Sequence, residues 1–226
     1  MKNNQVRSTK MNREREKIRM KVLLINGSPR AKGCTFTALS EVAKTLEECG
    51  IETEIAQIGN QAIRGCIGCG GCAGKGHCVF DDDVTNKMIA KVKEADGLVI
   101  GSPVYYSSPN GNLISMLDRL FYAGGDFLVH KPAAAVASAR RAGTSATLDD
   151  LQKYFTIKQM PIVSSTYWNM VHGSCPEDVL KDEEGLQTMR NLGGNMAWLL
   201  KCIENGKNND ILPPEAENGS KTNFIR

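Results

Sequence analysis

The sequence predicts a doubly wound α/β domain built on five parallel strands. Short apolar runs recur along the chain, and segments with an apolar residue at every third or fourth position stand between them. Turns rich in Gly, Ser and Pro separate the two kinds of segment. Strands that alternate with helices form a parallel sheet covered on both faces. The length of 226 residues and the hydrophobic content of 41% suit one domain with a full core.

The five strands are predicted from the apolar runs in chain order. KVLLIN at 21–26 has the length and branching of a buried strand, and IETEIAQI at 51–58 alternates like a half-buried edge strand. GLVIGSPVYY at 97–106 is a strand that continues into a loop. AAAVASA at 133–139 and PIVSSTYW at 161–168 complete the predicted sheet.

Helices are predicted between these strands from their apolar periodicity. Their approximate ranges are 35–49, 84–95, 113–121, 146–156 and 186–203. Gly193 and Gly194 lie inside the last helix, where together they cost roughly 2 kcal/mol relative to alanine. We therefore expect close packing against another backbone there, for example at a subunit contact.

Right-handed crossovers between these elements favour the strand order 2-1-3-4-5, which is flavodoxin-like. In that topology a ligand binds beyond the carboxyl ends of strands 1 and 3, where the winding reverses. The predicted domain covers 20–205 and includes a cysteine-rich insertion at 60–80 after strand 2. A basic tail at 1–19 and a polar tail at 206–226 are expected on either side.

Charge and hydropathy exclude several classes of protein. Residues 1–21 contain eight Lys or Arg and two Glu, so the rest of the chain has a net charge of about −3 and no broad nucleic-acid footprint. The sequence has no apolar run of signal-peptide or membrane-spanning length. We expect a cytoplasmic protein without nucleic-acid or membrane partners, in which clustered cysteines bind metal or are redox-active.

The segment INGSPRAKGCTFT follows strand 1 and begins a helix. Its small residues allow backbone N–H groups to converge on an anion, Ser28 and Thr35 add hydroxyl groups, and Arg30 adds positive charge. It matches neither the ATP-type phosphate loop nor the dinucleotide fingerprint. It suits a single phosphate such as that of FMN, and a plain strand–turn–helix connection is the alternative.

Three segments together resemble the NADPH-dependent FMN reductase family, and more narrowly its iron–sulfur flavoprotein branch. They are GSPR followed by GCT at 27–35, GSPVYYSSPNG at 101–111, and the cysteine run at 66–78. The resemblance covers roughly 20–203 and implies a flavodoxin-like fold, bound FMN, and homodimers or homotetramers. One departure stands at Cys34, where the family commonly has Asn. Cys34 cannot supply the hydrogen bonds of an amide, so FMN binds less tightly or Cys34 contributes only its backbone N–H.

The loop after strand 3 is the expected site of the flavin ring. By the resemblance, Pro103, Val104, Tyr105 and Ser107 contact FMN. Tyr105 and its neighbour Tyr106 offer rings for stacking and hydroxyl groups for hydrogen bonds. A proline-bounded surface loop is the alternative interpretation.

The loop after strand 4 contains Arg140, Arg141 and Gly143. Similar loops in the family lie near the flavin and its reductant. One arginine is therefore expected to stabilise negative charge at the flavin N1–O2 edge or to receive a phosphate of the nicotinamide cofactor. A solvated turn is an equally weighted alternative.

The cysteines Cys66, Cys69, Cys72 and Cys78 have the spacing C-x2-C-x2-C-x5-C. Four thiolates on a glycine-rich loop suit a [4Fe–4S] cluster, and the resemblance to iron–sulfur flavoproteins is the main reason to expect iron. Zinc is the principal alternative, with His77 as a substitute ligand, although zinc sites usually have two separated C-x2-C pairs. A loop without metal is the third.

These observations predict an FMN-dependent oxidoreductase that moves electrons between NAD(P)H or ferredoxin and an acceptor, which is a small molecule such as free flavin or a quinone. Because the flavin supplies the chemistry, no protein side chain is assigned as a catalytic acid or base. Two alternatives remain open: an electron carrier without a small-molecule substrate, and a zinc-stabilised flavodoxin-like binding module.

Overall fold

The computed structural model describes residues 20–217, 219–220 and 222. The predicted basic tail 1–19 lies outside the described residues, as do 218, 221 and 223–226 of the predicted polar tail. The strands are β1 (Lys21–Asn26), β2 (Glu52–Gln57), β3 (Gly97–Tyr105), β4 (Ser108–Pro109), β5 (Ala133–Ala139) and β6 (Met170–His172). The helices are α1 (Cys34–Glu48), α2 (Thr85–Glu94), α3 (Gly111–Gly124), α4 (Thr144–Ile157), α5 (Pro176–Val179) and α6 (Glu183–Asn208).

The sheet has the order β2-β1-β3-β5-β6, and all neighbours on this path are parallel. Counted over the parallel strands this is 2-1-3-4-5, so the predicted doubly wound topology is confirmed. β4 is an additional short strand that pairs antiparallel with β3.

The alternating side chains of the central strands build two cores, one on each face of the sheet. In β1, Leu23 and Ile25 belong to the core covered by α2, α3 and α4, while Val22 and Leu24 belong to the core under α1 and α6. A strand with both faces buried must be apolar at every position, which explains the continuous run VLLI.

The predicted position of the fifth strand, 161–168, is wrong. Only Ile162 bridges to β5 there, and the strand itself is β6 at Met170–His172. Between them the chain leaves the sheet edge and is held by α6, because Ser165 donates a hydrogen bond to the Thr188 carbonyl (2.7 Å). Residues 161–168 have strand propensity, but they form an irregular edge segment that is hydrogen-bonded to α6.

The two glycines of α6 have different surroundings. A methyl carbon added to Gly193 would lie 2.9 Å from Thr45 Cβ and 3.0 Å from the Val42 carbonyl oxygen, both on α1. The expected close approach to another backbone therefore occurs within the chain. A methyl carbon on Gly194 would meet no atom within 4 Å.

Candidate functional site

Three loops lie side by side at the carboxyl edge of the sheet. They follow β1, β3 and β5, and each contains predicted cofactor contacts. The register pairs Asn26 of β1 with Gly101 of β3, and Pro103 of β3 with Ser138 of β5, so the strand ends are adjacent. The edge between β1 and β3 is the point where the winding reverses, which is where ligands bind in open α/β sheets.

The first loop, 27–33, begins with a glycine at which any side chain would force the neighbouring backbone to shift. Gly27 donates a backbone hydrogen bond to the Gly101 carbonyl (2.8 Å). A methyl carbon at Gly27 would lie 2.5 Å from Leu113 Cδ2 and 2.7 Å from that same carbonyl oxygen. The loop therefore passes directly over β3 and the start of α3.

Two polar residues that the sequence analysis did not select hold this loop. Asn26 accepts a hydrogen bond from the Ser28 N–H (3.1 Å), and its amide donates to Gln57 Oε1 (2.5 Å) and to the Ala31 carbonyl (3.3 Å). Gln57 in turn donates to the Ser28 carbonyl (2.5 Å). Asn26 and Gln57 end β1 and β2, and a polar residue at the last position of a strand is the signal that identifies them.

Ser28 and Arg30 differ in their exposure to solvent. The Ser28 side chain is buried, and its hydroxyl oxygen accepts a hydrogen bond from the Arg30 N–H (3.1 Å). Arg30 is exposed to solvent. Its charge is therefore available to an incoming anion, while Ser28 shapes the turn.

Helix α1 begins where this loop ends, and its N-terminus has no side-chain cap. Gly33 is the N-cap residue, and no side chain accepts a hydrogen bond from the first N–H groups of the helix. These N–H groups and the positive end of the helix dipole suit a bound anion. The Thr35 hydroxyl lies 2.8 Å from the Ser138 hydroxyl, and both residues are buried, so this contact ties α1 to β5.

Cys34 is the first residue of α1 and is partly buried. Its Sγ lies 3.7 Å from the Gly173 carbonyl oxygen, toward which the thiol donates. Burial raises the pKa of the Cys34 thiol above its ordinary value, so the group is a neutral thiol at pH 7. Cys34 therefore brings no negative charge to the anion-binding end of the helix.

The second loop is a tight β3–β4 hairpin whose turn residues are Tyr106 and Ser107. Both have positive φ, 52° and 61°, which is the conformation of a type I′ turn. This conformation is uncommon for a residue as bulky as Tyr. It leaves the Tyr106 ring fully exposed and Tyr105 half exposed, while Pro103 and Val104 are partly buried beneath them.

The third loop brings Gly143 against this hairpin. Gly143 has φ +89°, and a methyl carbon on it would lie 2.8 Å from Ser107 Cα and 2.9 Å from Val104 Cγ1. Arg140 and Arg141 precede it and are exposed. Within the part of the chain that the structure describes, neither guanidinium has a hydrogen bond or ion pair, so both are available to an anion.

The four predicted metal ligands line one pocket beside α3, here called the cysteine pocket. Cys66 and Cys69 are exposed, Cys72 is partly buried, and Cys78 is buried. The pocket is lined by Gly65, Cys66, Ile67, Gly68, Cys69, Gly70, Cys72, Cys78, Val79, Phe80, Arg119, Tyr122 and Ala123. The segment that follows β2 is therefore folded so that all four thiols share one pocket.

Left-handed glycines give the segment 64–80, here called the cysteine segment, its tight path. Gly68, Gly70, Gly74 and Gly76 have φ between 64° and 70°. Among the described residues, however, no three His, Cys, Asp or Glu side chains converge closely enough to hold a metal ion. The segment thus fits a thiolate-bound cluster in the number and kind of its donors and in their shared pocket, while the thiols are not gathered into a ligand set.

The buried guanidinium of Arg119 joins α3 to both ends of the cysteine segment. Its Nε donates to Cys78 Sγ (3.3 Å), its Nη2 donates to the Phe80 carbonyl (2.8 Å), and its Nη1 donates to the Arg64 carbonyl (3.2 Å). Arg119 also forms a buried ion pair with Asp83. Arg119 was not among the predicted site residues, although a charged residue within the apolar run of α3 was an available signal.

The partners of Arg119 control the charge at this pocket. Burial alone would raise the pKa of Asp83, but hydrogen bonds from Thr85 and the Arg119 guanidinium reverse this, and the pKa lies below its usual range. Asp83 is therefore ionised.

Asn86 fixes the backbone of Cys78 by accepting from its N–H (2.8 Å) and donating to its carbonyl (2.9 Å).

A comparison with protein families identifies the chain's relatives. Residues 20–174 match the family model of the NADPH-dependent FMN reductases. The chain belongs to the NADPH-dependent FMN reductase family. The match covers all three loops of the carboxyl edge as well as the cysteine pocket.

Within this family the chain is similar to an iron–sulfur flavoprotein of Methanocaldococcus jannaschii. The two are 35% identical over 193 residues, which cover 82% of this chain and 100% of the relative. The resemblance found in the sequence, to the FMN reductase family and its iron–sulfur flavoproteins, is confirmed by these matches.

Solved structures show the same fold at low sequence identity. RosB with bound 8-demethyl-8-formylriboflavin-5′-phosphate has a TM-score of 0.64 at 15% identity, and the match covers 92% of each chain. A flavodoxin from the domain Archaea has a TM-score of 0.55 at 15% identity, and the match covers 80% of this chain and 99% of the flavodoxin. In the described part of the chain, no helix of this family member is long and apolar enough to cross a membrane.

Proposed function

We propose that this chain is a cytoplasmic FMN-dependent oxidoreductase that moves electrons between NAD(P)H or a ferredoxin-type donor and an acceptor, with Cys66, Cys69, Cys72 and Cys78 holding a [4Fe–4S] cluster. Membership of the FMN reductase family supports the flavin and the oxidoreductase activity. The iron–sulfur flavoprotein relative supports the cluster. The observation that carries the proposal is that four thiols share one pocket next to the helix that starts at the carboxyl edge.

The three loops at the carboxyl edge would hold FMN. The uncapped N–H groups of α1 and the exposed Arg30 suit its phosphate. The β3–β4 hairpin, which Gly143 contacts, would present Tyr105 and backbone amides to the ring. Bound FMN would supply hydride and single-electron chemistry, and the three loops would fix its ring.

The cysteine pocket would hold the cluster, which supplies single-electron transfer when bound. Helix α3 connects the two proposed sites, because it starts at Gly111 directly after the hairpin and has Arg119 on the cysteine pocket. Gly111 and Arg119 are eight positions apart, which is a rise of about 12 Å along the helix at 1.5 Å per residue. This short separation supports the assignment of both groups to one electron path.

Arg140 and Arg141 would recognise the reductant. Their guanidinium groups are exposed beside Gly143 and have no protein partner in the described structure. NADPH has one phosphate more than NADH, and arginine binds phosphate with two parallel hydrogen bonds. An exposed, unpaired arginine pair favours an enzyme that uses NADPH over a carrier that accepts electrons only from a protein.

The first experiment is purification without oxygen, followed by a visible spectrum and iron, sulfide and zinc analysis. We expect flavin bands, a broad shoulder and about four iron and four sulfide per chain. The Cys72→Ser variant should lose the iron and keep the flavin, while Cys202→Ser, an exposed cysteine outside the cysteine pocket, should keep both. Zinc in place of iron, or flavin alone, would refute the cluster, and the absence of flavin would refute the whole proposal.

The reductant is tested with the double variant Arg140→Gln, Arg141→Gln. Loss of a charged hydrogen bond to phosphate should raise KM for NADPH by about tenfold. KM for NADH should stay unchanged, since NADH lacks that phosphate. If neither nicotinamide reduces the wild-type flavin and reduced ferredoxin does, the protein is an electron carrier.

We also propose that the protein assembles as a homodimer or homotetramer. This proposal follows from the family resemblance, and sedimentation equilibrium of the flavin-loaded protein tests it. A monomer at micromolar concentration would refute it.

A further inference from the structure

Arg119 is an unusual residue for its location. The residue is 2% exposed and lies on a helix whose other inward residues are apolar. All three of its nitrogens donate hydrogen bonds, and three of the acceptors belong to the chain between Arg64 and Phe80. The cysteine segment is therefore fixed to α3 at the residue two before Cys66 and again at Cys78 and Phe80.

We propose that Arg119 is a positioning residue for the iron–sulfur centre: its Nε–H fixes the Cys78 sulfur and raises the reduction potential of the cluster bound there. This inference rests on the proposed function, because it requires the four cysteines to hold a cluster. It goes beyond that function by assigning control of the potential to one side chain that is not a ligand.

The chemistry of the contact supports the direction of the effect. A cluster held by four thiolates has a net negative charge, and its reduction adds one more. A hydrogen bond to a ligand sulfur and a nearby positive charge both favour the more negative, reduced form. Cys78 is the one buried thiol of the four, so its contact with the guanidinium is shielded from water and from salt.

The charges around Arg119 limit how large the effect is. Asp83 is ionised next to the guanidinium and cancels much of its charge at longer range. The hydrogen bond to sulfur remains as the local contribution. We therefore expect Arg119→Gln to lower the equilibrium constant for cluster reduction by about tenfold, which is about 59 mV for one electron.

Arg64 provides a matched control in the same segment. Its side chain is about half exposed, pairs with Asp82 (3.1 Å) and lies over the Phe80 ring (4.4 Å) without contacting a sulfur. Arg64→Gln removes one positive charge from the cysteine segment and leaves the contact between Arg119 and Cys78 intact. A general charge effect would shift the potential in both variants, and a hydrogen-bond effect would shift it in Arg119→Gln alone.

The experiment is an anaerobic redox titration of the full-length protein, with the reduced cluster followed by electron paramagnetic resonance. Iron and sulfide are counted in every variant. Arg119→Lys keeps the positive charge but lacks the planar guanidinium group and its set of N–H donors. It serves as the test variant if Arg119→Gln loses its iron. Iron–sulfur stretching frequencies in the Raman spectrum report the hydrogen bond to the Cys78 sulfur directly.

The inference is supported if Arg119→Gln, or iron-loaded Arg119→Lys, has a more negative potential and altered iron–sulfur stretching while Arg64→Gln matches the wild type. It is overturned if the Arg119 variants keep both the wild-type potential and the wild-type stretching frequencies. It is overturned as well if Arg64→Gln shifts the potential equally. A wild-type protein without a cluster would overturn the proposed centre itself, which separates that failure from a failure of the role of Arg119.

Discussion

Replacing Gly143 by alanine should weaken FMN binding by distorting the β3–β4 hairpin. At φ +89° an alanine costs about 1–2 kcal/mol more than glycine. Its methyl carbon would also lie 2.8 Å from Ser107 Cα and 2.9 Å from Val104 Cγ1, about 1 Å inside normal carbon contact distances. Overpacking of this kind costs about 1–3 kcal/mol, so the free energy of unfolding should fall by about 2–5 kcal/mol.

The variant should stay folded, because domains have unfolding free energies of about 5–15 kcal/mol. Relief of the contact requires Ser107 to move away from Gly143, and the turn that faces the proposed flavin moves with it. We expect the Kd for FMN, measured by quenching of flavin fluorescence, to rise at least tenfold. Urea unfolding of the flavin-loaded protein gives the stability change.

Gly111→Ala is the matched control at the other end of the hairpin. Gly111 is the first residue of α3, and a methyl carbon on it would meet no atom within 4 Å. This variant should keep the wild-type Kd for FMN and the wild-type stability or slightly more. An unchanged unfolding free energy for Gly143→Ala, or an equal loss of FMN affinity in both variants, would contradict this prediction.

Three further predictions concern stability and the phosphate loop. Gly194→Ala should raise the unfolding free energy by up to about 1 kcal/mol, because alanine has the higher helix propensity. Gly193→Ala should lower it by about 1–3 kcal/mol, because its methyl group would meet α1. Equal urea midpoints of the two variants would contradict this prediction. Hydrogen bonds from Lys21 and Lys91 lower the pKa of Glu54. Glu54→Gln should therefore lower the free energy of unfolding by about 0.5–1 kcal/mol at pH 7. That cost should disappear as the pH falls below about 4.3 and through the lower folded-state pKa, and a cost that persisted in acid would refute the ion-pair origin. Cys34→Asn should lower the Kd for FMN severalfold by adding amide donors at the start of α1, and an unchanged Kd would mean that this position contributes only its backbone N–H.

The arrangement of the candidate site was partly predictable. The loops after β1, β3 and β5 meet at the carboxyl edge because parallel strands end on the same side, and strand order followed from local periodicity and crossover handedness. The β4 strand was missed, since Tyr106 and Ser107 lack the Asn-Gly type of sequence that usually marks a two-residue turn. The segment 161–168 was misassigned because its strand propensity is met by contacts with α6.

The α/β class, the bounds of β1 and β5, and the cysteine spacing can be read from the sequence alone, because these depend on periodicity and composition over neighbouring residues. Which distant side chains meet depends instead on the packing of the whole chain. Arg119 and Cys78 are 41 residues apart in the chain, and Gly143 meets Ser107 across two loops. Such contacts are set by how two helices and a sheet edge pack in three dimensions, and no local pattern in the sequence encodes them.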